Sequence, residues 1–468
     1  MGASPTRPNT TRPEGYVVPS RTDPVVRMAS NAIGGPLGRY AVVGARGRAG
    51  VAAGVIVMGA AMLALGVFQK GHCVVKGWVD PDQFWRACYS DVTVVNVSSA
   101  LANRSLPYSG AAPSDQPLGA GLVMWALSLM SPHSGGDLVA QQWIFGLWAA
   151  VAMILMSVCV VGIVAMRPSR PWQSAHFAVS PVIAVLALIS VDLGAVALVI
   201  WALWCWQRAH PLVAGVLLGM AFLFRPYPLI FLVAMVLVAW RQDQVRRAAQ
   251  VSVAAVASAV GIYLPFLLVL GEPLLLAPRQ WLSSAPGYGG VSLVPNLNGL
   301  SVSTSAATTI ALSGWVSAAV VGWWLARHRA PVPRRCVAEP ARDRPGDVSF
   351  VVALAAPMML IVMVTATSVS VQTGLWVLPF LALSTLPWRD HLIWAAVEIV
   401  HFEAVWLYIG FGSDPGRGLP GDAYSLTIVA RALAWTWVLL RVWGTRHAAD
   451  EAQPALQRSP VTDPITAG

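Results

Sequence analysis

Residues 50–68, GVAAGVIVMGAAMLALGVF, carry no charge, and they run straight into 69–91, QKGHCVVKGWVDPDQFWRACYSD, where Lys70, Lys76, Asp80, Asp82, Arg86 and Asp91 follow in quick succession. A bilayer crossing takes about 20 consecutive apolar residues, so the first block reads as a transmembrane helix. The second is a loop that stays largely polar to residue 117. Structureless connections longer than about 12–15 residues are uncommon and are usually functional. A span followed at once by a long, charged loop is the pattern from which the rest of the chain is read.

Working outward, further apolar blocks fall at 142–166, 174–190, 193–207, 211–226, 228–240, 248–270, 299–326, 348–366, 371–387, 391–411 and 424–443. With the first they predict an all-α polytopic membrane protein of about twelve spans. The composition agrees: 56% of the 468 residues are apolar and 11% charged, against roughly 25% charged in soluble domains. That balance excludes a water-soluble enzyme, a disordered chain and a nucleic-acid-binding module. The net charge of +10 needs no polyanion partner, because Lys and Arg collect in the cytoplasmic loops of membrane proteins. Alternating the spans from a cytoplasmic N-terminus puts 23 of the 31 basic residues inside and six outside, with Arg225 and Arg431 in or at the ends of spans. Both termini are then cytoplasmic, in a bacterial plasma membrane. Counting 117–131, an apolar block of only about 15 residues, as a further span would invert every later loop, so it reads as a re-entrant or interfacial helix. Residues 1–47 and 446–468 read as disordered cytoplasmic tails around a transmembrane domain at 48–445, with outer loops at 69–117 and 271–298 and a basic cytoplasmic loop at 327–347.

Chemistry must lie where polar residues interrupt this pattern. Cys73 and Cys88 stand 15 apart on the first outer loop, in an oxidising compartment where a disulfide persists; the alternative is two free thiols. Asp91 follows three residues later, at the start of a helix-like stretch. It suits an N-cap, or a general base for a hydroxyl nucleophile. Asp192 and Arg225 sit between short apolar blocks, where a charge needs a partner or a cavity. Arg225 precedes Pro226 and Pro228. A permanent cation beside a helix break suits phosphate, although an Arg can also snorkel to headgroups. Glu398 and His401 share a helix face, and with Glu403 they allow three readings: a polar cavity, a proton relay or a structural pairing with Arg431. Trp281 and Tyr288 on 271–298, with Asn296 and Asn298, suit sugar recognition; Tyr89 and Tyr227 complete the candidate cavity residues. No zinc spacing, P-loop or dinucleotide fingerprint occurs, so no cofactor is expected. A divalent cation beside a phosphate is conceivable, but nothing in the residue pattern marks a metal site.

Three strings carry a family likeness: Cys73-x3-Gly77-Trp78 followed by Cys88-Tyr89-Ser90-Asp91; SVDLGAVALVIWALWCWQRAHPLVAGVLLGMAFLFRPYPLIFL over 190–232; and EIVHFEAVWLY over 398–408. They resemble actinobacterial glycosyltransferase family 87, a branch of the GT-C superfamily of polyprenyl-phosphate-sugar-dependent transferases. The resemblance implies a GT-C-type fold, a catalytic Asp on the first outer loop that falls on Asp91, and a lipid-linked donor, usually of mannose, whose phosphate lies near Arg225. The acceptor would be a cell-envelope glycolipid or glycan. The competing expectation is a transporter or flippase of lipid-linked sugars that uses the intramembrane Glu and His.

Overall fold

The computed structural model describes residues 23–38, 47–110, 113–328 and 346–456. Among them every regular element is a helix. Helix α1 (Pro24–Gly38) precedes the first long apolar helix, α2 (Arg48–Gln69). The polar segment after α2 carries α3 (Asp91–Ser98) and ends at α4 (Leu118–Met130). Then come the long α5 (Leu138–Met166) and five shorter helices: α6 (Ala175–Ala178), α7 (Pro181–Leu186), α8 (Asp192–Gln207), α9 (Pro211–Phe222) and α10 (Pro228–Arg241). Beyond short helical turns at 272–282 and 293–297, the remainder is α11 (Val245–Leu270), α12 (Thr304–His328), α13 (Gly346–Thr365), a 3₁₀ turn at Val371–Trp376 with α14 (Leu378–Leu383), α15 (Trp388–Phe411) and α16 (Gly421–Leu456). Seven of these, α2, α5, α11, α12, α13, α15 and α16, are long and apolar enough to cross a membrane. The chain is therefore a multi-pass membrane protein.

All twelve predicted apolar blocks are helical, but five are too short or too broken for a simple crossing. Proline placement explains the cuts. Pro181, Pro211 and Pro228 each sit in the first turn of a helix, where the missing N–H costs nothing and the fixed φ suits helix entry. The blocks 174–190 and 371–387, expected as single spans, are corrected to helix fragments: α6 and α7 in the first, the 3₁₀ turn and α14 in the second. Although nearly 200 residues apart in sequence, the fragments pair, α6 with α14 and α7 with the 3₁₀ turn. They are almost wholly buried, where irregular backbone is tolerated inside a membrane protein.

Close helix contacts set the frame around them. Gly215 and Gly219 on α9 meet α11 so tightly that an added Cβ would lie 2.3 Å from the Val251 carbonyl oxygen and 2.2 Å from that of Ala255. This small-xxx-small spacing lets two apolar backbones approach where lipid offers no hydrophobic drive. A stripe of Ala307, Ala311, Gly314, Ala318, Gly322 and Ala326 is the buried face of α12, which packs against α13.

The tails need correction. Residues 24–38, expected to be disordered, form α1, and Asp23 fixes it at both ends of its carboxylate. Oδ1 accepts from the N–H groups of Val25 (2.9 Å) and Val26 (3.2 Å), and Oδ2 accepts from Trp388 N–H (2.8 Å) at the start of α15. At the other terminus α16 continues to Leu456, past the expected boundary at 446. The expectations for 1–22, 39–46 and 457–468, and for most of the 327–347 loop, lie outside the described residues.

Candidate functional site

The long loop after α2 is anchored before it reaches Asp91. Cys73 and Cys88 form a disulfide. Gln69 Nε2 (2.7 Å) and Lys70 Nζ (3.2 Å) both donate to the Ala87 carbonyl, and Trp78 Nε1 donates to that of Cys88 (2.9 Å). The chain then crosses the broken segment between α7 and α8. There the helix break leaves three consecutive carbonyls free, and each finds a donor: Ala187 takes Trp148 Nε1 (3.3 Å), Leu188 takes Ser90 Oγ (2.8 Å) and Ile189 takes the Asp91 N–H (2.7 Å). Buried carbonyls must be satisfied, so the break in the membrane segment and the placement of Asp91 have one cause.

Asp91 is the first residue of α3, with Ser90 at the N-cap position; the capping role open to Asp91 in the sequence is not the one it takes. Its carboxylate accepts from Gln372 Nε2 (3.3 Å) on the 3₁₀ turn and from the Tyr89 hydroxyl, and the side chain remains partly open to solvent. Burial pushes the carboxyl up to about 6, with Asp192 and Asp115 adding to the rise, while the Tyr89 hydrogen bond and the Arg225 charge oppose it. Burial and the Asp91 charge push the Tyr89 phenol far above its ordinary range, so it is a neutral donor. Its ring lies 4.8 Å from that of Trp406.

Arg225 and Asp192 join the same cluster. Arg225 Nε contacts both carboxylate oxygens of Asp192, at 3.2 Å each, and Trp376 Nε1 donates to Oδ2 (3.4 Å). The Asp192 side chain is 3% exposed and that of Arg225 21%. The difference sorts their roles: Asp192 is the buried anchor, and the Arg225 side chain stays partly exposed. Its terminal nitrogens have no protein partner among the described residues. The Tyr227 ring lies 5.4 Å from that of Trp376, tilted by 58°, and its hydroxyl is hydrogen-bonded to Thr373.

Two further groups were not legible as site residues. Gln372 is buried beside Asp91, and the signal for it was an amide inside an apolar block. Lys70, one of two lysines in the chain, is buried at the end of α2 with Nζ 5.0 Å from the Phe402 ring. Burial lowers its ammonium to about 7, and Glu403 and Asp91 keep it from falling further.

The remaining candidates stand elsewhere. Glu398 and His401 are 1% exposed, and of the three readings the geometry shows the structural pairing for Glu398. Glu398 Oε2 accepts from Arg431 Nε (3.0 Å) and its other oxygen accepts from Trp435 Nε1. His401 meets Thr427 Oγ1 (3.3 Å) and stacks on Tyr424 at 5.7 Å. Trp281 lies edge-on to Phe222 (6.2 Å). Tyr288 is exposed, and its carbonyl accepts from Val369 N–H (2.9 Å). Neither aromatic side chain has a described contact with Asp91, Asp192 or Arg225. Asn296 and Asn298 are spent on local contacts to Val302, Val294 and Ser425.

An apolar groove of about 360 Å³ runs between α4, α5, α8 and α9. Its lining includes Trp148, Trp201 and Leu217, together with Val191 and Phe224, the residues immediately before Asp192 and Arg225. Among the described residues no three His, Cys, Asp or Glu side chains group as metal ligands. Compared with protein-family models, curated protein sequences and solved structures, the chain matches none.

Proposed function

We propose that the protein is an inverting glycosyltransferase that moves a sugar from a polyprenyl-phosphate donor to a hydroxyl of a cell-envelope glycolipid or glycan, on the outer face of a bacterial plasma membrane. The observation that carries this reading is one cluster: a partly open carboxylate with a raised pKa, Asp91, beside an Arg225 whose Nε is fixed by Asp192 and whose outer edge is free. A guanidinium held from behind presents its terminal N–H pair to an anion in the fork geometry that phosphate favours. The adjoining groove is apolar and large enough to take isoprene units, with its lining reaching the residues next to Asp192 and Arg225.

In this mechanism the donor tail lies in the groove and its phosphate on Arg225. The acceptor oxygen attacks the anomeric carbon while Asp91 takes the hydroxyl proton. The bond from the anomeric carbon to the phosphate oxygen breaks, and the electron pair leaves with polyprenyl phosphate, whose added charge Arg225 stabilises. Attack opposite the leaving group inverts the anomeric centre. Mannose is the favoured sugar on the strength of the family resemblance. The transporter reading has less support, because Glu398, the acid a proton relay would use, is engaged by Arg431 and Trp435.

The test is direct. Purified protein in lipid nanodiscs, supplied with polyprenyl-phosphate mannose and envelope glycolipids, is expected to release polyprenyl phosphate and a mannosylated lipid in equal amounts. Asp91→Asn is expected to cut the rate of both products about 100-fold or more. Donor that crosses sealed vesicles without being consumed, in an Asp91-independent way, would refute the transferase in favour of the flippase.

A further inference from the structure

The turn Val371–Trp376 touches three members of the cluster with three of its residues. Gln372 donates to Asp91, Thr373 is bonded to Tyr227 and Trp376 donates to Asp192. A 3₁₀ turn of this length, cut off from α14 by a change of helix type, has little rigidity of its own. Its stiffness comes from behind. Arg431 is fully buried on α16 and spends its terminal nitrogens on three consecutive carbonyls at the entry to the turn: Val369 (3.1 Å), Ser370 (3.2 Å) and Val371 (3.0 Å). Glu398 holds the Nε of the same guanidinium and presses against Gly374, where an added Cβ would lie 3.0 Å from Oε2. Gly289 (φ +72°) closes on the same carbonyl: its Cβ would lie 2.0 Å from the Val369 oxygen and 3.2 Å from Arg431 Nη1. Such an approach is open only to glycine.

We infer that the buried Arg431–Glu398 pair is a positioning device: it fixes the 371–376 turn so that Gln372 aims Asp91 and Trp376 aims the Asp192–Arg225 pair. The inference rests on the transferase reading for its kinetic consequence but not for its geometry. It gives Gln372, Trp376, Arg431 and Glu398 distinct duties, and it assigns the intramembrane Glu398 a role that requires no proton movement. Removing the Gln372 amide takes away a donor to the ionised form of Asp91, while the other groups that face Asp91, namely Tyr89, Arg225, Asp192, Asp115 and Lys70, stay in place. Proton affinity at Asp91 then rises.

The experiment measures Asp91 by itself and turnover separately, in the full chain in nanodiscs. A water-soluble carbodiimide labels protonated carboxyl groups, so the pH midpoint of Asp91 labelling, read by peptide mass, reports its protonation with no substrate present. Gln372→Leu is expected to raise that midpoint by half a unit or more, a threefold or greater gain in proton affinity, and to lower kcat with little change in donor KM. Trp376→Phe is expected to raise donor KM and leave the midpoint where it is. The double variant Glu398→Met with Arg431→Met removes both buried charges together, so it leaves neither stranded; it is expected to fold, move the midpoint and change both kinetic constants. A folded double variant with wild-type midpoint and kinetics overturns the inference. Should it fail to fold, an unmoved midpoint in Gln372→Leu overturns it equally. Midpoints that shift in the variants while the wild-type protein transfers no sugar would leave the positioning intact and sink the transferase reading instead.

Discussion

Asp91 keeps its proton up to about pH 6 because the ionised form is partly desolvated. A general base must be ionised, so turnover is expected to fall about tenfold per unit below pH 6 and to level off above it. A pH–rate profile flat from 5 to 8 would count against Asp91. Asp91→Asn should cost about 10²- to 10⁴-fold in kcat, the usual scale of general-base catalysis. Its effect on stability has the opposite sign. The folded chain binds this proton up to about pH 6 and a free aspartate only to about 3.8, so the contribution to stability is fully present below pH 3.8 and is lost as pH rises through 6. Asp91→Asn is therefore expected to melt about 1–3 °C above the wild type at pH 8, as calorimetry in nanodiscs can check. Arg225→Lys keeps the charge and loses the fork, so donor KM should rise about tenfold; Arg225→Ala is less informative, because it strands a buried Asp192 at a cost of about 3–5 kcal/mol. At this scale the ionisable side chains Asp91, Asp192 and Arg225 were legible, because charge in an apolar chain is conspicuous. Gln372 and Trp376 were not, because an amide or an indole in an apolar block reads as ordinary burial until the fold shows what it faces.

The long helices were readable from hydropathy because each is apolar for 18 residues or more, and the fragments were not because their apolar runs are continuous across the breaks. Pro181 divides 174–190 into α6 and α7, but what stops α7 from running on into α8 is tertiary: donors from Trp148, Ser90 and Asp91 take up the carbonyls that a continued helix would have used. The loop anchored there also depends on its crosslink. Replacing Cys73 and Cys88 by Ser should lower stability by about 3 kcal/mol, the chain-entropy value for a loop of 15 residues. Reducing agent should have the same effect on the wild type, as a shift in thermal midpoint. Where α9 crosses α11, Gly215→Val would drive a side chain into the Val251 carbonyl. About 1–3 kcal/mol of overpacking is expected, with faster proteolysis of the loop at 242–244 as the readout.

For the molecule as a whole, the charge pattern makes a claim about sides. A single reporter Cys at Ser413, in a background where Cys159, Cys205 and Cys336 are Ala, should react with an impermeant maleimide from outside intact cells. One at Gln242 should react only after permeabilisation; the reverse pattern would invert the orientation. The partnership of α6 with α14 and of α7 with the 3₁₀ turn bears on biogenesis as well. The first partner of each pair leaves the ribosome nearly 200 residues before the second, a delay of roughly 10–40 s at 5–20 residues per second. During that interval Asp192 has no Trp376, Asp91 has no Gln372, and the apolar fragments have nothing to cover their open backbone. Nascent chains stalled before residue 371 should accordingly be the species that membrane quality-control proteases and insertase chaperones retain, and the Asp91–Asp192–Arg225 cluster can close only after about four-fifths of the chain has been made.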